Sequence, residues 1–341
     1  MPAVFYGWKK MNKTKYFRTL SSGDVQCLLC PVRCVIKPNA AGFCGARKNI
    51  SGTLESLIYG KISAASFDPI EKKPMYHFFP GKEILSIGSA GCNLKCLFCQ
   101  NSDISQSLDF SLLNDITGVR LLDIATSNKN NIGIAFTYNE PIINFEFVSD
   151  VAGLFKKNGL RNVLVSNGMI NPEPLSELVS KIDGANIDLK GADDEFYKKN
   201  CKAGNVKTVL NTIETLHKNG VVVEATNLII TDLNDSMEKI KNLVDELASI
   251  SNEIPLHFSR YFPRYKCSNP PTPEKILREA FEYGKTKLKY VYTGNANMEN
   301  SSNTYCPECG KTLIERRGYS VKKYFDSEKC PHCGEKILIQ N

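Results

Sequence analysis

Three cysteines close together in the chain have the spacing of an iron–sulfur ligand set. Cys92, Cys96 and Cys99 form a C-x3-C-x2-C motif. Three thiolates in one tight loop can bind three irons of a 4Fe-4S cluster and leave the fourth iron without a protein ligand. Chemistry at a metal requires an open coordination position, so the trio predicts a catalytic cluster and not a structural one.

Most of the remaining cysteines form two further groups. These are Cys27, Cys30, Cys34 and Cys44, and Cys306, Cys309, Cys330 and Cys333. The odd total of 13 cysteines excludes complete disulfide pairing, and Cys201 and Cys267 stand alone as expected free thiols. The sequence shows neither a secretory signal nor an apolar stretch long enough to cross a membrane. We therefore expect a cytoplasmic, reducing compartment, where grouped cysteines bind metal.

The last cysteine group has the spacing C-x2-C-x20-C-x2-C, with a glycine after each pair. Four closed thiolates at this spacing predict a structural zinc ribbon or a rubredoxin-like iron site. The tail is also basic, and we interpret its charges as a solvated face. Those charges are Arg316, Arg317, Lys322 and Lys323.

The first cysteine group has the spacing C-x2-C-x3-C-x9-C. Its four ligands would close either an auxiliary iron–sulfur cluster or a zinc site, and the spacing does not decide between them. A closed set of four thiolates favours structural metal. An electron relay to the central cluster remains the alternative.

After residue 80, short apolar runs rich in β-branched residues alternate with segments of helical periodicity. The runs lie at 83–90, 133–138, 163–167, 185–190, 221–230, 256–261 and 290–294. The helical segments lie at 112–128, 142–157, 172–182, 236–250 and 273–287, and a further one ends at His217. Six alternations predict an α/β fold in which helices wrap a parallel sheet, as in a partial or full βα barrel. Active residues in such a fold lie at the carboxyl ends of the strands.

Two flanking segments lack this alternation, so the sequence predicts three regions. They are a cysteine-rich metal-binding segment at 1–80, the barrel at 81–300 and a zinc-ribbon or rubredoxin-like tail at 301–341. Neither flank has enough apolar residues to fold unaided, so metal must supply part of its stability. The 43 basic and 36 acidic residues leave a net charge of only +7, too weak a bias to predict a nucleic-acid partner.

The central cysteine loop directly follows the first barrel strand, and Phe98 precedes its third cysteine. The loop resembles the signature of the radical S-adenosylmethionine (SAM) superfamily, which has this spacing and an aromatic residue at that position. The resemblance implies a partial (βα)6 radical SAM barrel with a 4Fe-4S cluster and SAM as cofactors. It also implies a donor such as ferredoxin or flavodoxin, whose electron drives cleavage of SAM to a 5′-deoxyadenosyl radical that abstracts hydrogen from a substrate.

Polar residues at three successive strand ends resemble elements of the glycyl-radical-enzyme activases. The segments are Glu140-Pro141, Ser166-Asn167-Gly168 and Asp188-Leu189-Lys190. The resemblance implies that Glu140 accepts hydrogen bonds from the SAM ammonium and that Ser166 and Asn167 reach its ribose and carboxylate. Lys190 would pair with the methionine carboxylate, and Asp188 shares its strand face. Alone, each segment favours an ordinary alternative, a turn for the first two and a surface ion pair for the third. Their coincidence at successive strand ends favours the cofactor site.

The whole chain resembles one subfamily, the AmmeMemoRadiSam-system radical SAM enzymes. The matching segments are 27–47, 68–77, 138–141, 257–260, 292–295 and the final ribbon. This resemblance implies Memo-type and AMMECR-type proteins as partners and does not determine the substrate.

Three further residues are candidates for binding the substrate or transferring a proton to it. His257 and Arg260 fall at the predicted end of the sixth strand and could bind an anionic group or transfer a proton. A structural histidine and a helix-capping arginine are the alternatives. His77 lies in an unusual run at 68–81 and is the third candidate.

The sequence thus predicts a radical SAM enzyme, an activase-like oxidoreductase that abstracts hydrogen from an unidentified substrate, with a protein partner as the first candidate. Radical modification of RNA or of a small molecule is the alternative. A zinc-stabilised binding protein is a further alternative, but such a scaffold needs no open cluster.

Overall fold

An eight-stranded sheet forms the centre of the protein in this computed structural model, which describes residues 14–106 and 109–341. Its strands are β1 (Ala64–Pro69), β2 (Glu83–Gly88), β3 (Asn131–Phe136), β4 (Arg161–Ser166), β5 (Gly184–Asp188), β6 (Val222–Ile229), β7 (Leu256–Arg260) and β8 (Val291–Gly294). Each strand pairs with its neighbours in chain order. β1 is antiparallel to β2, and the other pairs are parallel.

Six helices connect the parallel strands. They are α1 (Gly118–Ser127), α2 (Phe145–Lys157), α3 (Pro172–Val179), α4 (Val206–Lys218), α5 (Met237–Ile250) and α6 (Glu274–Lys285). Seven parallel strands and six helices confirm the predicted α/β fold with its six strand–helix units. No helix in the described ranges is both long and apolar enough to cross a membrane.

The helices form because their apolar residues recur with helical period and pack on the sheet. In α5, Ile240, Leu243, Val244 and Leu247 are buried, which gives one continuous stripe toward the sheet. The strands are buried on both faces, as in parallel sheets generally.

The predicted helix at 112–128 is wrong at its start. Helix α1 begins only at Gly118, where the Thr117 hydroxyl caps it by accepting a hydrogen bond from the backbone N–H of Arg120. The preceding residues Asn114–Asp115 instead pair as a short strand with Lys61–Ile62.

Small antiparallel strands build the described part of the N-terminal region, whose first 13 residues lie outside the described ranges. The strands are Phe17–Thr19, Val25–Cys27, Val35–Ile36, Arg47–Ile50 and Thr53–Ser56. Strand β1 continues this region into the central sheet, where it pairs with β2 along its whole length. The proposed boundary at residue 80 thus separates two paired strands.

The C-terminal region is a small three-stranded antiparallel sheet. Its strands are Thr304–Tyr305, Thr312–Arg317 and Ser320–Lys323. Arg316 does not lie on a solvated face as expected: its side chain is buried, stacks on the Tyr76 ring at 4.1 Å and donates to the Tyr76 carbonyl at 2.8 Å. The end of the chain also binds this segment, since Phe79 N donates to Gln340 O at 2.7 Å. The ribbon is therefore held by hydrogen bonds against the segment just before β2, at Tyr76 and Phe79.

Candidate active site

The cysteine loop follows β2 at the carboxyl edge of the sheet. Backbone N–H groups of Lys95 and Leu97 donate to the carbonyls of Cys201 and Asn200, at 2.8 and 2.9 Å, so a short helical turn at Tyr197–Cys201 supports the loop. Cys201, expected to be a free thiol, is fully buried against Cys96. These contacts fix the loop over the ends of β3, β4 and β5.

Nine of the eleven predicted catalytic and cofactor-binding residues line one cavity of about 440 Å³. They are Cys92, Cys96, Phe98, Cys99, Glu140, Ser166, Asn167, Asp188 and Lys190. The parallel direction of β2 to β5 brings them together, because the carboxyl ends of parallel strands meet at one edge.

The three thiols of the loop fit an iron cluster better than a single ion. Among the described residues, the only cysteine group whose sulfurs all lie within 4.8 Å of one another is that of the C-terminal ribbon, so the trio is more widely spread. Burial raises the pKa of the Cys92 thiol well above its usual value. A protonated thiol there would exchange its proton for iron on binding.

Glu140 offers a buried carboxylate at the end of β3. It accepts hydrogen bonds from the Ser166 hydroxyl at 2.8 Å and from the backbone N–H groups of Asn167 and Ile142, at 2.8 and 3.1 Å. Burial raises its pKa to about 7 despite these donors. No cationic side chain of residues 14–106 or 109–341 pairs with it. A buried acid with well-placed donors and no cation suits a ligand ammonium group.

Asn167 connects this carboxylate with the cysteine loop. Its side-chain amide donates to Asn93 Oδ1 at 2.8 Å and lies 3.6 Å from Cys92 Sγ. The turn that holds it needs glycine at the next position: Gly168 has φ +72°, and a Cβ atom there would lie 3.0 Å from Ile187.

Lys190 contributes one of the cations of the cavity, just beyond the end of β5. Its ammonium pairs with Asp188 at 2.9 Å. Burial alone would lower the pKa of Lys190, but the Asp188 carboxylate raises it well above its usual value. A fixed positive charge suits a ligand carboxylate.

Sequence reasoning missed one wall of the cavity, which the run at 68–81 provides. Lys73 pairs with Asp68 at 2.7 Å and lies over the Tyr138 ring, and the Tyr138 hydroxyl donates to Asp68 at 2.5 Å. Tyr138 adopts φ 71°, a left-handed conformation that is unusual for a tyrosine. No local feature of this run indicates that it faces the end of β3.

A second cavity of about 900 Å³ adjoins the first and shares four lining residues with it. The shared residues are Lys72, Thr226, Ser259 and Asn295. His257 lines this second cavity, and its Nε2 contacts the buried Glu224 carboxylate at 2.7 Å. The structure therefore places His257 beside the cofactor cavity and not within it.

Arg260 and His77 line neither cavity. The Arg260 side chain donates to the Thr272 carbonyl at 3.0 Å and pairs with Glu274 at 3.3 Å, next to the start of α6. His77 is fully buried between the Leu338 carbonyl and the Tyr292 hydroxyl. Their contacts are those of structural residues.

The C-terminal cysteines form a compact set of four. Cys306 and Cys333 lie 3.6 Å apart, Cys309 and Cys330 lie 3.8 Å apart, and all four sulfurs fall within 4.8 Å. Tetrahedral zinc with Zn–S bonds of about 2.3 Å needs sulfurs separated by about 3.8 Å. The group therefore suits one zinc or iron ion.

Comparisons with known proteins agree with this geometry. The family model of the radical SAM superfamily matches residues 86–247. An uncharacterized protein of Methanocaldococcus jannaschii is 41% identical over 339 residues, which cover 96% of this chain and 99% of that protein.

Two relatives of stated activity are more distant. A pyruvate formate-lyase-activating enzyme of Clostridium pasteurianum is 26% identical over 168 residues, which cover 48% of this chain and 68% of that enzyme. A dual-specificity RNA methyltransferase of Buchnera aphidicola is 28% identical over 190 residues, or 49% of this chain and 52% of that enzyme. The site and these matches lead to one conclusion: the chain contains a radical SAM superfamily domain at residues 86–247 and is similar to pyruvate formate-lyase-activating enzymes.

Proposed function

We propose that this protein cleaves SAM reductively and uses the resulting radical to abstract hydrogen from a segment of a partner protein. One observation carries the proposal of SAM cleavage. The three cysteines of the central loop, which would leave one iron of a cluster without a protein ligand, line the same cavity as Glu140 and Lys190. The family implies a 4Fe-4S cluster and SAM, and the residues present fit both.

The chain's own residues hold and orient the cofactor. Cys92, Cys96 and Cys99 would bind three irons, and the cluster, when bound, supplies the electron that breaks a carbon–sulfur bond of SAM. Glu140 would receive the ammonium group of SAM, and Lys190 its carboxylate.

The substrate half of the proposal rests on the second cavity, since it adjoins the first and is about twice as large. The charges that line it are balanced, with three carboxylates (Glu71, Glu299, Glu315) and three cations (Lys72, Arg316, Arg317), so the cavity has no excess of positive charge to attract the phosphates of RNA. A polar peptide segment needs no such excess. Similarity to an activating enzyme supports a protein substrate.

We further propose that the chain acts in the AmmeMemoRadiSam system. The segments 68–77 and 257–260, which carry that resemblance, include lining residues of the second cavity. A Memo-type or AMMECR-type protein is then the candidate partner. A cytoplasmic ferredoxin or flavodoxin would supply the electron.

The test is anaerobic reconstitution with iron and sulfide, followed by reduction in the presence of SAM. We expect formation of 5′-deoxyadenosine by the intact protein and by the Cys267→Ser control, which changes a cysteine outside the three groups. The Cys96→Ala variant should form none. An intact cluster without SAM cleavage would contradict the proposal.

Substrate class is tested in the same reaction by adding a purified Memo-type protein, an AMMECR-type protein or total tRNA. We expect a protein to increase 5′-deoxyadenosine formation and to carry a new radical or covalent change. A stimulation by tRNA alone, with modified nucleosides, would overturn the protein assignment and leave SAM cleavage intact.

A further inference from the structure

The four N-terminal cysteines converge on one small buried cavity, although they come from separate strands and turns. Cys27, Cys30, Cys34 and Cys44 all line it, and only Cys34 is appreciably exposed. The backbone N–H of Phe43 donates to Cys34 Sγ at 3.4 Å. Hydrogen bonds from the backbone to sulfur stabilise thiolates, which are the form that binds metal.

A buried cation faces the same cavity. Arg47 is 1% exposed and lines it, and two of its nitrogens bind the Ile143 carbonyl and the Glu146 carboxylate. Its Nη1 has no hydrogen-bond partner in the described part of the chain. A buried guanidinium nitrogen is costly without an acceptor, so the cavity is built for an anionic occupant. Four thiolates around a metal group carry net negative charge.

The sulfur positions distinguish the kind of metal group. A single zinc ion needs four sulfurs about 3.8 Å apart, which the ribbon provides. In the described residues no three N-terminal sulfurs lie within 4.8 Å of one another, although all four face one cavity. A 4Fe-4S cluster separates its cysteines more widely because each binds a different iron. The three sulfurs of the central loop likewise do not all lie within 4.8 Å of one another.

One residue separates this group from the catalytic loop. Asn93 lines the N-terminal cavity together with Cys30, and its side-chain amide donates to the Met169 carbonyl at 2.8 Å. Asn93 directly follows Cys92 in the chain, and its side-chain Oδ1 accepts a hydrogen bond from the side-chain amide of Asn167. The two cysteine groups thus lie on either side of a single asparagine.

We propose that Cys27, Cys30, Cys34 and Cys44 hold a second 4Fe-4S cluster, which passes electrons to the catalytic cluster across Asn93. A reduced ferredoxin- or flavodoxin-type protein gives one electron to the second cluster and is itself oxidised by one electron. The second cluster then returns to its oxidised state as the catalytic cluster is reduced. The role of the catalytic cluster as electron acceptor rests on the proposed function. The assignment of a second cluster rests on the N-terminal residues alone.

The experiment counts metals per chain in anaerobically reconstituted protein. We expect about eight irons, about eight sulfides and one further zinc or iron in the ribbon. The double variant Cys30→Ala/Cys34→Ala should retain about four cluster irons, and Cys267→Ala should retain all of them. About four irons with two zincs in the intact protein would overturn the assignment.

Spectroscopy of the intact protein keeps the proposal falsifiable if the double variant does not fold. Mössbauer spectra should show all cluster iron in cubane form, and electron paramagnetic resonance of the fully reduced protein should show two magnetically interacting clusters. A single non-interacting signal would overturn it. Eight irons without SAM cleavage would refute the proposed function and leave the second cluster standing.

The relay is measured by mixing the protein with a reduced donor protein and following bleaching of the catalytic cluster. We expect at least a tenfold slower reduction in the double variant. An unchanged rate of reduction in the double variant would contradict electron transfer through the second cluster and assign that cluster a structural role.

Discussion

The backbone N–H of Asn167 donates to Oε2 of Glu140 at 2.8 Å, while the side chain of the same asparagine reaches the cysteine loop. The end of β4 therefore sets the position of the acid at the end of β3 relative to Cys92. Binding of SAM requires that its amino acid portion and the open iron be aligned, and this asparagine couples the two.

The Glu140→Gln substitution should weaken SAM binding by about 10- to 100-fold, because a charged hydrogen bond contributes about 1.5–3 kcal/mol. Glutamine keeps one acceptor oxygen, which can serve the Ser166 hydroxyl and the Ile142 N–H but not the Asn167 N–H as well, so iron content and folding of the variant are measured beside the binding. The measurement is equilibrium dialysis of SAM against reconstituted protein. Glu279→Gln, which changes a carboxylate on helix α6, is the control, and equal affinities in the two variants would exclude Glu140 from the site.

Affinity for SAM should also fall as the pH is lowered through about 7. Burial raises the pKa of Glu140 to about 7, so acidification protonates the group that accepts the ammonium. Well below this pKa, the affinity should drop by about tenfold per pH unit. Dialysis at several pH values checks this, and the Glu140→Gln variant should show a much flatter profile. The same slope in that variant would assign the titration to another group.

The protein should lose stability in mild acid. Burial lowers the pKa of His77 to about 4, and the hydrogen bond from His257 helps lower that of Glu224 against the opposing effect of burial. Both groups bind protons more readily when unfolded, so the free energy of unfolding should decrease as the pH falls from about 6.5 to 4. Urea denaturation measures it. His77→Gln should reduce the decrease, His217→Asn should not, and a flat profile in the intact protein would contradict the pKa of His77.

Two neighbouring arginines should differ sharply in their contribution to stability. Arg316→Met removes a buried cation that stacks on Tyr76 and donates to two carbonyls and to the Thr304 hydroxyl. We expect a loss of about 2–4 kcal/mol in the free energy of unfolding. Arg317→Met, whose native side chain is 86% exposed, should cost less than about 0.5 kcal/mol.

Urea denaturation monitored by tyrosine fluorescence compares the two variants. Ribbon metal content should be normal in both, because neither arginine is a ligand. Similar stabilities would show that Arg316 does not fasten the ribbon.

The cysteine groups and strand-end residues could be predicted because both depend on short-range order. Spacing within a loop sets which thiols can converge, and parallel strands end at one edge whatever their exact register. Glu140, Ser166 and Lys190 were predicted from their place at strand ends and their resemblance to the activases, and the structure brings them to one cavity.

Contacts between distant segments could not be predicted in the same way. Tyr138 meets Asp68 across 70 positions, and His257 meets Glu224 across 33. Such pairs depend on how strands stagger and how the ribbon docks, and no local pattern encodes either. The separation of the N-terminal sulfurs is likewise a three-dimensional quantity that spacing leaves open.

The attachment of the ribbon to the segment before β2 has a consequence for biosynthesis. Arg316 and its neighbours complete a wall of the larger cavity, yet they follow all eight strands of the central sheet in the chain and are synthesised after them. The sheet and the cysteine loop can therefore fold before that wall exists. A shortage of ribbon metal would then leave the sheet formed while this wall of the larger cavity, and with it the proposed substrate site, stayed incomplete.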